Sequence, residues 1–409
     1  MANNSFDAEI FDFSKRVKAL KESLPFVKVF MQFYAEQTKK AYKAFLMKHN
    51  IEEGEIINSI IKLKHEEINI FREIIKALNN ANITNSVLPR SFIVSLVSVF
   101  DAYIGRLINV MFCEKSELFK TLEKTISCSQ IHEFSSINQI KEYIIENEIE
   151  NVLRESHDKQ IGWLERKLNC PLRNLDAWKY FIEVTERRNL FVHCDGIVSS
   201  QYISVCKKHG VGIGKDVKVG KTLLVSQEYF TKACEYMLEM GVKLGHVIWR
   251  RLLPNSLKDA DSNLNNICYE MIRDEEYGMA ITLLEFATSV IKEWYSQESK
   301  LMFIINKAQA YKWLGNQKKS KEILHEVDWS ACADKFKLAN YVITDDYENA
   351  KVIMERINLS GEVTEENYKE WPLFKEFVKT EIFNKTYKKI YGEEFHEEIE
   401  EVAATKNDG

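Results

Sequence analysis

Only five prolines interrupt the 409 residues, and between them apolar side chains recur every three or four positions, the period of a helix buried on one side. That combination predicts an all-α chain. A proline cannot donate to a helical ladder, so Pro25, Pro89, Pro171 and Pro254, which fall where patterns break, are expected to mark boundaries. Over residues 1–88, Ile57, Ile60, Ile61 and Leu63, then Ile68, Ile70, Phe71 and Ile74, are the apolar teeth of long charged helices. They predict a helical hairpin or bundle, with Asn79 to Ser86 as a polar linker out of it. Residues 89–253 form a second expected helical domain. Ser91 to Cys113 is apolar nearly all round and should be its central helix. Further helices are expected near 115–126, 136–148, 149–168, 175–193 and 226–251. Before the last of these, Gly210, Gly212, Gly214 and Gly220 alternate with Val211, Ile213, Val217, Val219, Leu223 and Leu224, which predicts a small β-hairpin.

From 254 to 390 the chain repeats itself. Glu276-Tyr277-x-x-Ala280-x-x-Leu283-Leu284, Asn316-Gln317-x-x-Ser320-x-x-Ile323-Leu324 and Asp346-Tyr347-x-x-Ala350-x-x-Ile353-Met354 align at spacings of 40 and 30 residues. Each is preceded by a helix of similar length, and Ala308, Tyr311 and Gly315 strengthen the middle unit. A small residue between large apolar ones, in helix pairs at this period, resembles tetratricopeptide repeats. The acidic run from Glu393 to Glu401 predicts a solvated, mobile tail over 391–409.

The formal charge of −5 supplies no general attraction to nucleic acid or anionic lipid, so RNA binding would need a local basic patch. Asp7, Glu9 and Asp12 stand where a secretory leader would be basic and apolar, and Asp101 and Arg106 interrupt the most apolar helix. A cytosolic protein without a membrane span is expected. The eight cysteines lie far apart and the nine histidines are scattered, with no metal-ligand spacing, so neither a metal nor another cofactor is expected. Gly214 and Gly220-Lys221-Thr222 imitate a phosphate loop, but five residues separate the glycines and no buried strand leads in. Nucleotide hydrolysis is rejected there.

One stripe breaks the rule that buried faces are apolar. Trp178, Phe181, Ile182 and Val184 begin an amphipathic helix, yet continuing by threes and fours leads to Arg188, Asn189 and His193. Polar groups in a half-buried setting need partners, because an unpaired one costs free energy. The segment Arg187-Arg188-Asn189-Leu190-Phe191-Val192-His193, with Gly196 three positions later, resembles the Arg-x4-His motif of the HEPN ribonuclease superfamily. The apolar helix at 91–113 and the glycine-containing hairpin before a final helix extend that resemblance over about residues 89–253. Cys194, where many relatives carry asparagine, departs from it. Adjacent to His193 on a helix, it points about 100° away and reads as a structural thiol.

The resemblance implies metal-independent cleavage of RNA in a cleft shared by two copies, with His193 as acid or base and Arg188 on the phosphate. Arg188 and His193 lie roughly 140° apart around a helix, so a second copy would complete the site. Asn189 would orient the imidazole or contact the phosphate, with Arg187 either an additional phosphate contact or solvent-facing. Asp101, on a helix whose other faces carry Val94, Val97, Ile104 and Ile108, needs a cation if buried. Arg188 or Arg187 would make it a positioning residue; Arg106 or exposure at a helix edge would make it structural. Lys207, Lys208, His209, Lys215, Lys218 and Lys221, opposed within 207–221 only by Asp216, would touch the RNA backbone or merely solubilise the hairpin. The resemblance further implies antiviral defence or a growth-arresting toxin, with the repeats binding a protein trigger or inhibitor. An inactive HEPN scaffold that binds protein partners or RNA is the competing reading.

Overall fold

The computed structural model describes residues 5–52, 63–122, 125–357 and 361–396. Among them the structure is all-α and divides into two compact units, Met1–Leu252 and Leu253–Gly409. The division falls one residue before the expected one, beside Pro254.

In the first unit, α1 (Phe6–Lys48) and α2 (His65–Glu114) are 43 and 50 residues long. Ser5 caps α1 by accepting from the amide of Ala8 at 3.2 Å, and Asp7 and Glu9 complement the positive end of the helix. The buried side chains Phe6, Ile10, Phe13 and Val17 recur at threes and fours, so the first turns of α1 lie against α2 and α9 (Gln227–Leu252). Contact there is close because α9 offers glycines. A Cβ on Gly241 would sit 2.1 Å from the Phe13 ring, and one on Gly245 would sit 2.2 Å from the Tyr103 hydroxyl. Tyr103 donates to the Gly241 carbonyl at 3.0 Å and stacks on Phe13 at 4.2 Å. Arg106 pairs with Glu9 and, at 3.5 Å, with Asp12, tying α1 to α2.

The expected boundary after residue 88 is absent. Pro25 and Pro89 both lie inside helices, each costing one rung of the ladder that tertiary packing offsets. Asn79 to Ser86 is not a linker but helix, with Ala81 buried and the polar residues beside it facing water. Beyond its contact with α9, α1 continues with α2 as a two-helix arm. Phe45, Leu46 and Ile51 close around Phe71 at its far end. Of the expected teeth, Ile57, Ile60 and Ile61 lie outside the described residues. The apolar part of α2 could cross a bilayer by length and composition, and half of that stretch is buried within the protein.

After α2 come α3 (Ser116–Phe119), α4 (Cys128–Ile131), α5 (Ile137–Leu153), α6 (His157–Leu168), α7 (Trp178–His193) and α8 (Ser200–Lys208). The expected β-hairpin did not form. Residues 209–226 make a loop whose only pairing is an isolated antiparallel bridge, Ile197 with Thr222. Besides two turn bonds of its own, Val217 to Gly214 O and Lys221 to Lys218 O, the loop spends its backbone bonds on the turn after α7. Val198 donates to Lys221 O at 2.9 Å, Gly220 to Val198 O at 3.0 Å and Leu223 to Gly196 O at 2.8 Å. Val211, Ile213, Val217 and Leu223 accordingly pack on Leu190, Val198 and Tyr202.

The second unit contains three helix pairs. These are α10 (Leu257–Arg273) with α11 (Tyr277–Glu285), α12 (Gln297–Trp313) with α13 (Gln317–His325), and α14 (Asp334–Ile343) with α15 (Tyr347–Ile357). The three turns are alike. Their middle residues Glu275, Gly315 and Asp345 have φ of 60°, 88° and 63°, and the residue after each donates five positions back, Glu276 to Met271, Asn316 to Tyr311 and Asp346 to Tyr341. Ala280, Ser320 and Ala350 are fully buried where the helices approach. The longer first interval is filled by a π-helical turn, Phe286–Val290, and a non-helical stretch before α12. Then α16 (Glu365–Glu370) and α17 (Glu381–Tyr391) finish the core. Part of the expected tail is ordered, since Phe395 packs on Phe383 and Tyr387. The rest, from 397, lies outside the described residues.

Candidate active site

The two sides of α7 behave differently. Phe181, Ile182, Val184 and Thr185 bury its first half, Thr185 donating to its own Ile182 carbonyl at 2.9 Å. Thereafter the helix is polar where it should be apolar. Glu186, Asn189 and His193, spaced three and four apart on one side, line an open cleft of about 410 Å³ together with Arg188, His157, Gln160, Cys194, Ser199 and Tyr202.

Arg188 reaches the cleft from the buried side. Its Nη2 donates to Asp101 Oδ2 at 3.1 Å, and its Nε is buried without a hydrogen-bond partner. The other oxygen of Asp101 accepts from His157 Nε2 at 2.8 Å. One carboxylate on α2 thus holds a guanidinium from α7 and an imidazole from the first turn of α6. Of the expected partners Asp101 pairs with Arg188, while Arg106 is engaged by Glu9. His157 is 6 % exposed and packs edge-on against Phe181. Burial pushes the Glu186 carboxyl above the ordinary carboxylate range, against the opposing influence of His157, Arg188 and the Asn189 amide.

His193 ends α7 and is exposed. The turn that follows it is held from a distance. Cys194 and Gly196 both donate to Leu190 O, at 2.9 and 3.0 Å, and Asp195 and Gly196 take φ of 48° and 78°. A Cβ at Gly196 would lie 3.2 Å from Phe191, so both backbone angle and space favour glycine there. Arg90, on α2, donates to the carbonyl of Asp195 at 3.0 Å and to its Oδ1 at 2.8 Å.

Arg187 takes no part in this cleft. Its Nε donates to Glu183 Oε1 at 2.8 Å and its guanidinium lies 3.8 Å over the Tyr229 ring. Tyr202 and Tyr229 each donate to Glu183 at 2.7 Å. Burial opposes the charge of Arg187, but Tyr229, Glu183 and Tyr202 outweigh it and hold the guanidinium pKa above its ordinary value. Asn189 donates to Glu186 Oε1 at 3.4 Å rather than to the imidazole. None of Lys207, Lys208, Lys215, Lys218 and Lys221 lines the cleft. All five are exposed, and Lys208 pairs with Asp158 at 2.9 Å. His209 accepts from Trp178 Nε1 at 3.2 Å, and burial lowers its pKa, which favours the neutral ring.

Sequence reasoning missed His157, Glu186, Gln160 and Arg90. Glu186 carried a signal, three residues before Asn189 and seven before His193 on the same side of the helix. Gln160 donates through Nε2 to the carbonyls of Leu153 and Glu155 at 3.3 and 2.9 Å, contacts with no local sequence signature.

This arrangement offers an accessible imidazole, a guanidinium whose charge is balanced by one shared carboxylate, and a second carboxyl biased towards its neutral form. It can exchange a proton and bind an anion in one place. No family model matches the chain, and no curated protein or solved structure matches it.

Proposed function

We propose that the chain is a metal-independent endoribonuclease of the HEPN type. The observation that carries this reading is that Arg188 and His193 line the same open cleft, with Arg188 held by Asp101. In the proposed reaction a ribose 2′-hydroxyl attacks the adjacent phosphorus and the bond to the 5′-oxygen breaks. The products are a 2′,3′-cyclic phosphate and a 5′-hydroxyl. His193 takes the proton from the attacking hydroxyl or returns one to the leaving oxygen. Arg188 stabilises the charge growing on the phosphoryl oxygens. A second copy, joined through the central helices, would contribute the complementary group from its own α7. Lys207, Lys208, Lys215, Lys218 and Lys221, all exposed, would hold flanking phosphates, and the helix pairs of the second unit, read as tetratricopeptide-like, would bind a protein trigger or inhibitor. The setting we propose is antiviral defence or growth arrest.

The test is cleavage of end-labelled RNA in excess chelator by wild type and His193→Ala. Activity that survives the chelator and falls by about a hundredfold or more in the variant supports the enzyme. Equal background in both overturns it and leaves a scaffold.

A further inference from the structure

Helix α1 carries two apolar faces, and only one is covered. In the arm, Leu24, Met31, Thr38 and Phe45 are buried. On the other side of the same stretch, Phe26, Val29, Phe30 and Phe33 are 60 to 66 % exposed and Tyr34 is 47 % exposed. Phe26 and Phe30 already meet edge to face at 4.9 Å. This is a continuous stripe at helical spacing rather than scattered surface side chains, and such patches mark interfaces.

Its ends indicate what covers it. At about 100° per residue, Glu22, Val29, Phe33 and Lys40 all point within about 20° of the direction opposite Met31. Glu22 lies nine residues before Met31 and Lys40 nine after it, while Val29 and Phe33 lie two before and two after. Glu22 and Lys40 are both exposed. Reversing the face about Met31 therefore lays it on itself with an acid opposite a base at each end. Glu22, on the apolar axis, opposes insertion of this face into a membrane.

We propose that this face is an isologous interface, in which α1 of one copy packs antiparallel on α1 of a second. Val29 of each copy meets Phe33 of the other, and Glu22 of each faces Lys40 of the other. The contact runs over residues 22–40, about 28 Å of helix, and with α2 behind each α1 the two arms become a four-helix bundle. This contact requires nothing of Arg188 or His193 and is separate from the pairing proposed for the central helices. Two isologous contacts on one chain share a single axis in a dimer or generate a larger assembly.

Sedimentation velocity of the full chain at micromolar concentration tests it, using wild type, Phe33→Glu, Glu22→Lys, Lys40→Glu and the double exchange. All three positions are exposed, so unchanged helical circular dichroism is the folding control. Wild type should self-associate. Phe33→Glu should weaken association about a hundredfold, and each single charge reversal about tenfold, since two pairs turn repulsive at once. The double exchange should return association to near the wild-type value, which only antiparallel self-packing requires. A monomeric wild type, indifference to Phe33→Glu, or a double exchange no stronger than the single variants would overturn the proposal. So would a monomer that sediments with phosphatidylcholine vesicles, which would give the stripe to lipid.

Discussion

Arg187 and Arg188 are neighbours with opposite surroundings. Arg187 belongs to a closed cluster in which Glu183 accepts from a guanidinium and two phenols. Arg188 belongs to an open chain, His157 to Asp101 to Arg188, that ends at a cleft with a buried Nε unpartnered and, beside it, a carboxyl whose pKa burial raises. The first cluster meets its hydrogen bonds internally, although it too borders a cleft, of about 360 Å³. The second is incomplete, as a binding site must be before its ligand arrives. Charge alone does not distinguish the two clusters along this helix; hydrogen-bond satisfaction does.

Glu183→Ala breaks that comparison on the closed side. It leaves a buried cation and two buried phenols without their acceptor, and should cost about 3–5 kcal/mol of unfolding free energy, read by denaturant melts. A loss below about 1 kcal/mol would mean that the cluster is not a structural unit.

On the open side, Asp101→Asn keeps the shape but removes the charge that holds Arg188 and His157. RNA cleavage should fall about ten- to a hundredfold through kcat, with a smaller loss of stability. If cleavage is unchanged while stability drops as far as in Glu183→Ala, the two clusters are the same kind of object.

Glu186→Gln gives the smallest effect and the finest resolution. Burial raises the folded-state pKa of this carboxyl, so the native state binds its proton more tightly than the unfolded chain does. The associated stability is present in full below the unfolded value of about 4.3 and is lost as pH rises through the folded value. Wild type should therefore lose stability relative to Glu186→Gln as pH increases across that window, and the difference should then level off. Melting temperatures of the pair at several pH values check it; a constant gap would place the carboxyl in a water-like environment.

The sequence exposed the chemistry of α7 better than its partners. Arg188 and His193 stood out because they broke an apolar stripe, and Asp101 because a carboxylate interrupted an apolar helix. His157 gave no such warning, since its partner lies 56 positions away and only tertiary packing joins them. The three helix pairs were legible because each repeats a small residue between large apolar ones, Ala280, Ser320 and Ala350. Proline and glycine misled where tertiary contacts prevailed over local preference. Pro25 and Pro89 sit inside helices held by their neighbours, and the glycine-rich segment makes turns that bond the stretch after α7 instead of pairing as a hairpin.

The pair between Arg90 and Asp195 ties the long helix to the turn after His193. Arg90 follows Pro89, where α2 lacks one backbone rung and bends most easily. Above that point lies the arm; below it lies the rest of the helix, packed among its neighbours. A load that tilts the arm would reach that turn through the guanidinium, against the backbone bonds that tie it to the following loop. A rod of about 75 Å pivoting near its middle would act on that turn as a lever acts on a catch.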